Sequence, residues 1–212
     1  MKQGATLRGR GLLVVVEGID GAGKSTIVQE LAAHCTRERI SFVVSREPTN
    51  GQWGALLRQS AASGRLSLEE ELDLFIKDRH EHVNDVIAPA LRCGKVVLLD
   101  RYYFSTAAYQ GARGGDVDAI ICANQEFAPA PDLVLLLDVD PAASGDRIRA
   151  RGSELDQFEA RDYQAKVRKI YLSLKDPAIR VVDAMRPAEL VFRDCLAHFR
   201  QVQNRSRDAG VR

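Results

Sequence analysis

The chain has 212 residues, of which 45% are hydrophobic and 28% are charged, a composition typical of a globular domain. A domain of this length buries enough surface to fold without disulfides or a structural metal. The 30 basic and 29 acidic residues leave a formal charge of +1, which excludes a nucleic-acid binder held by bulk charge. A local basic site stays open, and a nucleic-acid arm in the basic tails is the alternative to our expectation of no specific nucleic-acid partner.

The four cysteines, Cys35, Cys93, Cys122 and Cys195, form no CxxC pair and complete no zinc spacing with the four histidines. They are typical of reduced thiols in a reducing compartment. The N-terminal residues include no apolar run long enough for a signal peptide or a membrane span. The sequence therefore predicts a cytoplasmic protein without a membrane partner. We interpret the polar ends at 1–10 and 204–212 as flexible tails around one domain at 11–203.

Five short apolar runs alternate along the chain with longer segments of helical pattern. The runs are Leu12–Val16, Phe42–Val44, Val96–Leu99, Leu133–Leu137 and Ile179–Val182. They are almost wholly apolar, as expected for strands covered on both faces, and the segments between them are long enough for helical crossovers. The sequence predicts an α/β fold with a doubly wound, five-stranded parallel sheet, in which ligands bind beyond the carboxyl ends of the strands.

The segment Gly18–Ser25, which reads GIDGAGKS, follows the first predicted strand and matches the pattern GxxxxGK[ST]. Glycines in this pattern let successive backbone N–H groups turn toward phosphate oxygens. Lys24 adds a charge near the β- and γ-phosphates, and the Ser25 hydroxyl is a ligand for Mg²⁺. A carboxylate beside a triphosphate is costly, so Asp20 either contacts a hydroxyl of a second substrate or caps the loop. The segment predicts nucleoside triphosphate binding.

Two predicted strands end in an aspartate. Asp100 is followed by Arg101, and this pair suits a magnesium ion held through water next to an anion; the competing interpretation is a structural ion pair. Asp138 ends the other strand. Sequence alone does not decide which carboxylate serves the metal.

A helix is predicted from about Leu68 to Leu91, and Arg79 interrupts its apolar stripe. Phe75 precedes Arg79 by one turn, so a ring and a guanidinium face the same place. This combination suits a base that is stacked and hydrogen-bonded. The competing interpretation is a core phenylalanine beside a salt-bridged arginine.

Arg147, Arg149 and Arg151 alternate after the fourth predicted strand. They form either a solvated helix face or a group that neutralises the charge developing on a transferring phosphoryl group. The sequence has no NKxD motif and no DxxG after a strand, which argues against a GTPase.

Taken together, these segments resemble the bacterial thymidylate kinases. The matching segments are EGIDGAGKST (17–26), REPT (46–49), LFIKDRHEH (74–82), DRYYFSTAAYQG (100–111), PDLVLLLDVDP (131–141) and RIRARG with FE (147–159). The resemblance implies a P-loop NTPase fold with a mobile lid at about 145–160, and a homodimer. It also implies ATP and Mg²⁺, and phosphoryl transfer from ATP to dTMP that gives dTDP. The alternatives are a kinase of another deoxynucleoside monophosphate, including one with a modified base, and a non-catalytic nucleotide-binding protein.

The resemblance assigns residues to the ATP side of the site. The residues that would cradle the phosphates are Gly18, Ile19, Asp20, Gly21, Ala22, Gly23, Lys24, Ser25 and Thr26. Ser25 and Asp100 would hold Mg²⁺, the aspartate through water. Catalysis would depend on Lys24, Arg101 and Arg151, the last belonging with Arg147 and Arg149 to the lid.

It likewise assigns residues to the acceptor nucleotide. Asp20 would reach the sugar hydroxyl of the monophosphate, and Arg58 and Arg101 would hold its phosphate with Arg46 beside them. Phe75 would stack on the thymine and Arg79 would hydrogen-bond it. The remaining pocket residues would be Ser105, Thr106 and Gln110 along the base and Tyr109 at the 2′ position.

Three segments depart from the family pattern. Gln157 stands where the lid commonly has an arginine, so Arg161 or the 147–151 cluster would serve instead. REPTNG at 46–51 replaces the frequent REPGGT, and Ile76–Asp78 replaces small residues. The departures bear on the acceptor's identity more than on the fold.

Overall fold

The computed structural model describes residues 10–149 and 157–209. The strands are β1 Leu12–Glu17, β2 Phe42–Arg46, β3 Val96–Asp100, β4 Leu133–Asp138 and β5 Ile179–Asp183. The helices are α1 Lys24–Arg37, α2 Gln52–Ser63, α3 Leu68–His82, α4 Ala88–Arg92, α5 Tyr103–Gly111, α6 Val117–Gln125, α7 Pro141–Arg149, α8 Gln157–Ser173 and α9 Ala188–Ala209, with a π-helical turn at Val83–Ile87.

All five apolar runs form strands of one parallel sheet, in the order β2-β3-β1-β4-β5. The predicted doubly wound, five-stranded parallel sheet is therefore confirmed. Each strand extends beyond its apolar run into a polar residue: Glu17, Arg46, Asp100, Asp138 or Asp183. These polar residues lie at the carboxyl edge of the sheet because parallel strands all end on the same side.

The prediction that every strand is covered on both faces is wrong for the two outer strands. β1 and β3 are buried throughout, and β4 is buried except at Asp138. β2 and β5 lie at the sheet edges, where Val44 is 47% and Val181 is 54% exposed. An edge strand has a neighbour on one side only, so its apolar side chains are less completely covered.

The predicted helix from about Leu68 to Leu91 is interrupted. Its start is well defined, since Ser67 and Glu70 form a reciprocal capping box at the N-terminus of α3. Its second half passes through the π-helical turn before α4 begins. Pro89, in the first turn of α4, has no N–H to donate to the helical ladder, and the ladder changes its spacing just before it.

Helices α2 and α3 pack against each other. At this contact Trp53, the single tryptophan of the sequence, lies under the Lys77 ammonium, with 5.2 Å between Nζ and the ring centroid. Such a cation–π contact is a modest, mainly orienting interaction at a partly exposed site.

The structure describes only parts of the predicted tails and lid. Arg10 forms an ion pair of 2.6 Å with Asp132, and residues 1–9 lie outside the described residues. At the other end α9 continues to Ala209, so the helix passes residue 203, where the sequence placed the domain boundary. The lid segment 150–156 also lies outside the described residues. Within the part of the chain that the structure describes, no helix is both long and apolar enough to cross a membrane.

Candidate active site

Three cavities lie in a row along the carboxyl edge of the sheet. The middle one, the loop cavity, has a volume of about 180 Å³ and is lined by Asp20, Gly21, Gly23, Lys24, Ser25, Thr26, Arg46, Asp100 and Arg101. The apolar cavity, also about 180 Å³, is lined by Glu47, Pro48, Leu57, Arg58, Ala61, Arg65, Glu71, Phe75, Arg79, Arg101, Tyr102, Ser105, Thr106, Tyr109 and Gln110. The large cavity, about 440 Å³, is lined by Gly21, Ala22, Gly23, Thr26, Ile27, Glu30, Arg147, Ala184, Arg186, Ala188, Glu189, Val191 and Phe192.

Shared walls connect the three cavities. Arg101 lines both the loop cavity and the apolar cavity, while Gly21, Gly23 and Thr26 line both the loop cavity and the large cavity. A molecule in the apolar cavity and another in the large cavity would therefore meet over the loop.

The conformation of the loop that lines the loop cavity requires glycine at two positions. Gly23 has φ +99° and precedes the first residue of α1, a left-handed conformation that L side chains rarely adopt. Gly21 has φ +76°, and a Cβ at this position would lie 2.6 Å from the Ser144 carbonyl oxygen of α7. The N-terminus of α1 thereby faces the loop cavity, where its unpaired N–H groups favour an anion.

Lys24 lies at the base of this loop, 7% exposed. Its Nζ donates hydrogen bonds to the carbonyl oxygens of Gly18 at 3.0 Å and Ile19 at 2.8 Å. Burial, with the positive charge of Arg101 acting in the same direction, lowers the pKa of Lys24 to about 7. The ammonium is held by neutral acceptors in a position where a phosphate oxygen would be a stronger partner.

The structure separates the two strand-end aspartates that the sequence left equivalent. Ser25 Oγ donates to Asp100 Oδ2 at 2.5 Å, and both residues line the loop cavity. Asp138 instead accepts two hydrogen bonds from Arg168 of α8, at 2.6 and 2.9 Å. Asp138 is thus engaged in a structural ion pair, whereas Asp100 and Ser25 present oxygen atoms of the type that Mg²⁺ prefers.

Arg101 has a backbone φ of +73°, which is unusual for a residue with a side chain. Its guanidinium pairs with the Asp20 carboxylate, and its Nη1 donates to Ser105 Oγ at 3.2 Å. Burial opposes ionisation of Asp20, but the charges of Arg101 and Lys24 outweigh it and lower the pKa of Asp20. Asp20 also accepts a hydrogen bond of 3.1 Å from Gln164 Nε2. The carboxylate faces Arg101, at the boundary of the apolar cavity.

Arg79 is 1% exposed and held on several sides. Its Nε and Nη2 donate to Glu47 Oε2 at 2.9 and 2.6 Å, and Nη2 also donates to Thr106 Oγ1 at 3.0 Å. Its Nη1 donates to Asn124 Oδ1. The competing interpretation of a salt-bridged arginine therefore describes its contacts correctly. Phe75, by contrast, is half-buried and lies on the wall of the apolar cavity rather than in the core.

Helix α5 forms the floor of the apolar cavity. Ser105 Oγ donates to Glu17 Oε2 at 2.6 Å, and the Tyr109 ring lies under the Arg101 guanidinium at 5.0 Å. Gln110 Nε2 donates to Glu71 at 3.0 Å, while its buried Oε1 accepts no hydrogen bond within the described part of the chain. A buried acceptor without a partner is rare, and this one belongs to a residue that lines the cavity.

Comparison with known proteins agrees with this geometry. The family model of thymidylate kinase matches residues 16–195. The chain is 53% identical over 182 residues to the thymidylate kinase of Xylella fastidiosa (strain M12), covering 86% of this chain and 83% of the relative. It is 50% identical over 187 residues to the thymidylate kinase of Xanthomonas campestris pv. campestris (strain B100), covering 88% and 82%. The chain belongs to the thymidylate kinase family.

The structure brings most of the residues predicted from the sequence together around the three cavities. Arg58, Phe75, Arg79, Ser105, Thr106, Tyr109 and Gln110 all line the apolar cavity, and Arg46 lines the loop cavity. Arg147 is placed at the large cavity, where its Nη2 donates to the Ala184 carbonyl at 2.9 Å. Arg149 pairs with Asp146 on the same helix. Arg151 lies outside the described residues.

Sequence reasoning missed two parts of the site. One is the wall of the large cavity that follows β5, including Ala184, Arg186 and Phe192. The position of this segment just after a parallel strand was the available signal, because such segments return to the ligand-binding edge. The other is Gln164 of α8, which carried no motif and reaches Asp20 only through the fold.

The lowered pKa of Lys24 leads to a prediction about protons. At about pH 8 the Lys24 amine is mostly unprotonated before the ligand binds. Binding of inorganic triphosphate to the wild-type chain should therefore take up a proton, because phosphate charge raises the pKa of this amine. At about pH 6 the ammonium is charged in both states, so this uptake should vanish. Calorimetry in buffers of different ionisation enthalpy measures it. Lys24→Arg is the matched control, since arginine stays protonated throughout and the ligand's own protons contribute to both proteins. Equal uptake by both proteins at the higher pH would show that Lys24 does not titrate in this way.

Proposed function

We propose that this chain transfers the γ-phosphoryl group of ATP to dTMP and releases dTDP and ADP. The observation that carries the proposal is the position of Arg101, which forms part of the walls of both the loop cavity and the apolar cavity. One guanidinium can therefore contact an acceptor phosphate at the place where it meets a donor triphosphate. Membership of the thymidylate kinase family supports the same activity.

The donor would occupy the large cavity and the loop. Its phosphates would lie on residues 18–26 at the N-terminus of α1, and its nucleoside would extend toward Arg147 and the segment after β5. Both regions are continuous through Gly21, Gly23 and Thr26. Arg147, held on a backbone carbonyl, would be close to the donor when the lid residues close over it.

The acceptor's base would occupy the apolar cavity. Phe75 supplies the ring for stacking, and the unpartnered Gln110 Oε1 is an acceptor suited to the N3–H of thymine. Cytosine carries no hydrogen on N3, so the same oxygen would face a second acceptor. A buried polar group that pairs with one base and not with another gives strong discrimination. Asp20, near the boundary of this cavity, would accept a hydrogen bond from the sugar hydroxyl.

The reaction needs no covalent intermediate. An oxygen of the dTMP phosphate attacks the γ-phosphorus, and the β-phosphate oxygen of ADP leaves, so the chain contributes position and charge. Lys24 gives up its carbonyl partners for donor phosphate oxygens, and Arg101, with Arg58 and Arg46, holds the acceptor phosphate. Ser25 and Asp100 are the residues that would hold Mg²⁺, which neutralises charge on the donor phosphates when bound. The lid that the family resemblance implies would exclude water, the competing acceptor.

A panel of monophosphates tests the proposal. With ATP and Mg²⁺, turnover of dTMP should exceed that of dUMP, UMP, dCMP, AMP and GMP, with dCMP strongly rejected. Lys24→Ala should fold normally and lose phosphoryl transfer by at least ~10³, the scale of removing a key electrostatic stabiliser. ADP formation and circular dichroism measure the two effects. A flat or shifted acceptor profile would point to another monophosphate, and near-wild-type turnover by Lys24→Ala would contradict the P-loop mechanism.

The role of Phe75 leads to a second prediction. Phe75→Ala should raise the KM for dTMP by ~10-fold to ~100-fold, because base–aromatic stacking contributes ~1–3 kcal/mol, and should leave the KM for ATP almost unchanged. Steady-state kinetics with each substrate and a thermal melt give the answer. The matched control is Phe104→Ala, because Phe104 is 1% exposed and lies in the core. Its loss should cost ~3–5 kcal/mol of stability and should lower activity toward ATP and dTMP equally, through unfolding. If Phe75→Ala behaves like Phe104→Ala, the base pocket is misplaced.

We also propose that the chain forms a homodimer, as the family resemblance implies. Light scattering should then give twice the 23.4 kDa of one chain at micromolar concentrations. A mass of one chain throughout that range would contradict the proposal.

A further inference from the structure

Two of the segments that depart from the family pattern contact each other. Asp78 of α3 is 2% exposed, and its carboxylate accepts hydrogen bonds from the Thr49 N–H at 2.8 Å and from Thr49 Oγ1 at 2.6 Å. Thr49 Oγ1 in turn accepts a hydrogen bond of 3.0 Å from the Gly51 N–H. The threonine hydroxyl thus closes the loop between β2 and α2 and ties it to α3.

The backbone of the same residue holds Arg58. The Arg58 guanidinium donates through Nη1 to the Thr49 carbonyl oxygen at 2.6 Å and to the Pro48 carbonyl oxygen at 3.3 Å. Arg58 is otherwise exposed and lies on the wall of the apolar cavity. Helix α2 also runs directly against this backbone, because a Cβ on Gly54 would lie 2.0 Å from the Thr49 oxygen. The loop therefore contacts both helix α2 and the Arg58 side chain directly.

The peptide group between Pro48 and Thr49 links a buried anion to this cation. Its N–H donates to the Asp78 carboxylate and its carbonyl accepts from the Arg58 guanidinium. Hydrogen bonds in such a chain polarise one another and strengthen the whole. A guanidinium has five N–H donors, so fixing Nη1 on carbonyls leaves donors for an anion in the cavity.

We propose that Thr49 and Asp78 form a positioning pair that holds Arg58 in the orientation that binds the acceptor phosphate. The inference rests on the proposed function, since it takes the apolar cavity as the acceptor site. A long side chain on an exposed helix samples many rotamers, and binding must otherwise select one of them. The pair makes that selection before the nucleotide arrives.

The test compares two ligands that differ only in the phosphate. Thr49→Val removes the hydroxyl and keeps the side-chain shape, so it should weaken dTMP binding by roughly fivefold to tenfold, the scale of one or two lost polar contacts. Thymidine has no phosphate for Arg58 to bind. The affinity of Thr49→Val for thymidine should therefore differ from that of the wild type by less than about twofold. Thr49→Ser, which keeps the hydroxyl, should restore dTMP binding. Isothermal titration calorimetry measures both ligands, and steady-state kinetics should show an unchanged KM for ATP.

A double-mutant cycle connects the effect to Arg58. If the pair acts through the guanidinium, Thr49→Val should weaken dTMP binding by less than about twofold in an Arg58→Met background, because coupled residues are not additive. Should Thr49→Val fail to fold, Thr49→Ala removes the same hydroxyl with a smaller side chain. Equal weakening of thymidine and dTMP, or full additivity with Arg58→Met, would overturn the positioning role. Binding of dTMP by the wild type without its phosphorylation would overturn the proposed function instead, and it would leave the comparison of variants intact.

Discussion

The ends of three neighbouring strands are fixed to one another by backbone hydrogen bonds just where the active site begins. The Arg101 N–H donates to the Val16 carbonyl at 3.0 Å, and the Glu47 N–H donates to the Asp100 carbonyl at 3.1 Å. These two bonds extend the parallel register of β1, β3 and β2 by one residue beyond the strands. They bring the P-loop, the Asp100–Arg101 pair and the Glu47 carboxylate to one place. A register slip of a single residue would turn each of these side chains to the opposite face of the sheet.

Five cations in and around the site fall into two groups according to their partners. Lys24, Arg58 and Arg147 are hydrogen-bonded to backbone carbonyls, which are neutral acceptors. A charged phosphate is a stronger partner than a carbonyl. These side chains are therefore held in place and can still exchange a carbonyl for a phosphate oxygen as hydrogen-bond partner. Arg79 and Arg168 are bound by carboxylates, and their first role is to hold parts of the structure together. Arg79 and Glu47 are both almost fully buried, so removing one of them would leave an uncompensated buried charge.

Arg101 belongs to neither group, because its carboxylate partner is itself a substrate-binding candidate. Asp20 and Arg101 pair with each other, and the resemblance assigns one to the sugar and the other to the phosphate of the same nucleotide. Binding of the acceptor would replace their mutual contact with two contacts to the ligand. The positive φ of Arg101 keeps the guanidinium at the boundary between the two cavities where that exchange would take place.

The sequence was most informative where local chemistry sets the structure. The P-loop pattern and the buried central strands follow from glycine conformations and from apolar runs, and they are visible without tertiary information. The partners of Arg79 and Asp138 could not be predicted in this way, because Glu47 and Arg168 lie 32 and 30 residues away from them along the chain. The large cavity was missed for the same reason, since Gly21 and Phe192 come from opposite ends of the chain. Edge exposure of β2 and β5 depends on strand order, which apolarity alone does not reveal.

The contact between Trp53 and Lys77 has an optical consequence. Indole emission depends on nearby charge and on exposure to water, and this sequence has one indole. Trp53 is the second residue of the helix that carries Arg58, and Lys77 immediately precedes the aspartate that binds Thr49. Any relative movement of α2 and α3 alters the distance between ammonium and ring. The protein therefore carries a single intrinsic fluorophore at the contact between α2 and α3, so that a relative movement of these helices can be followed without attaching a dye.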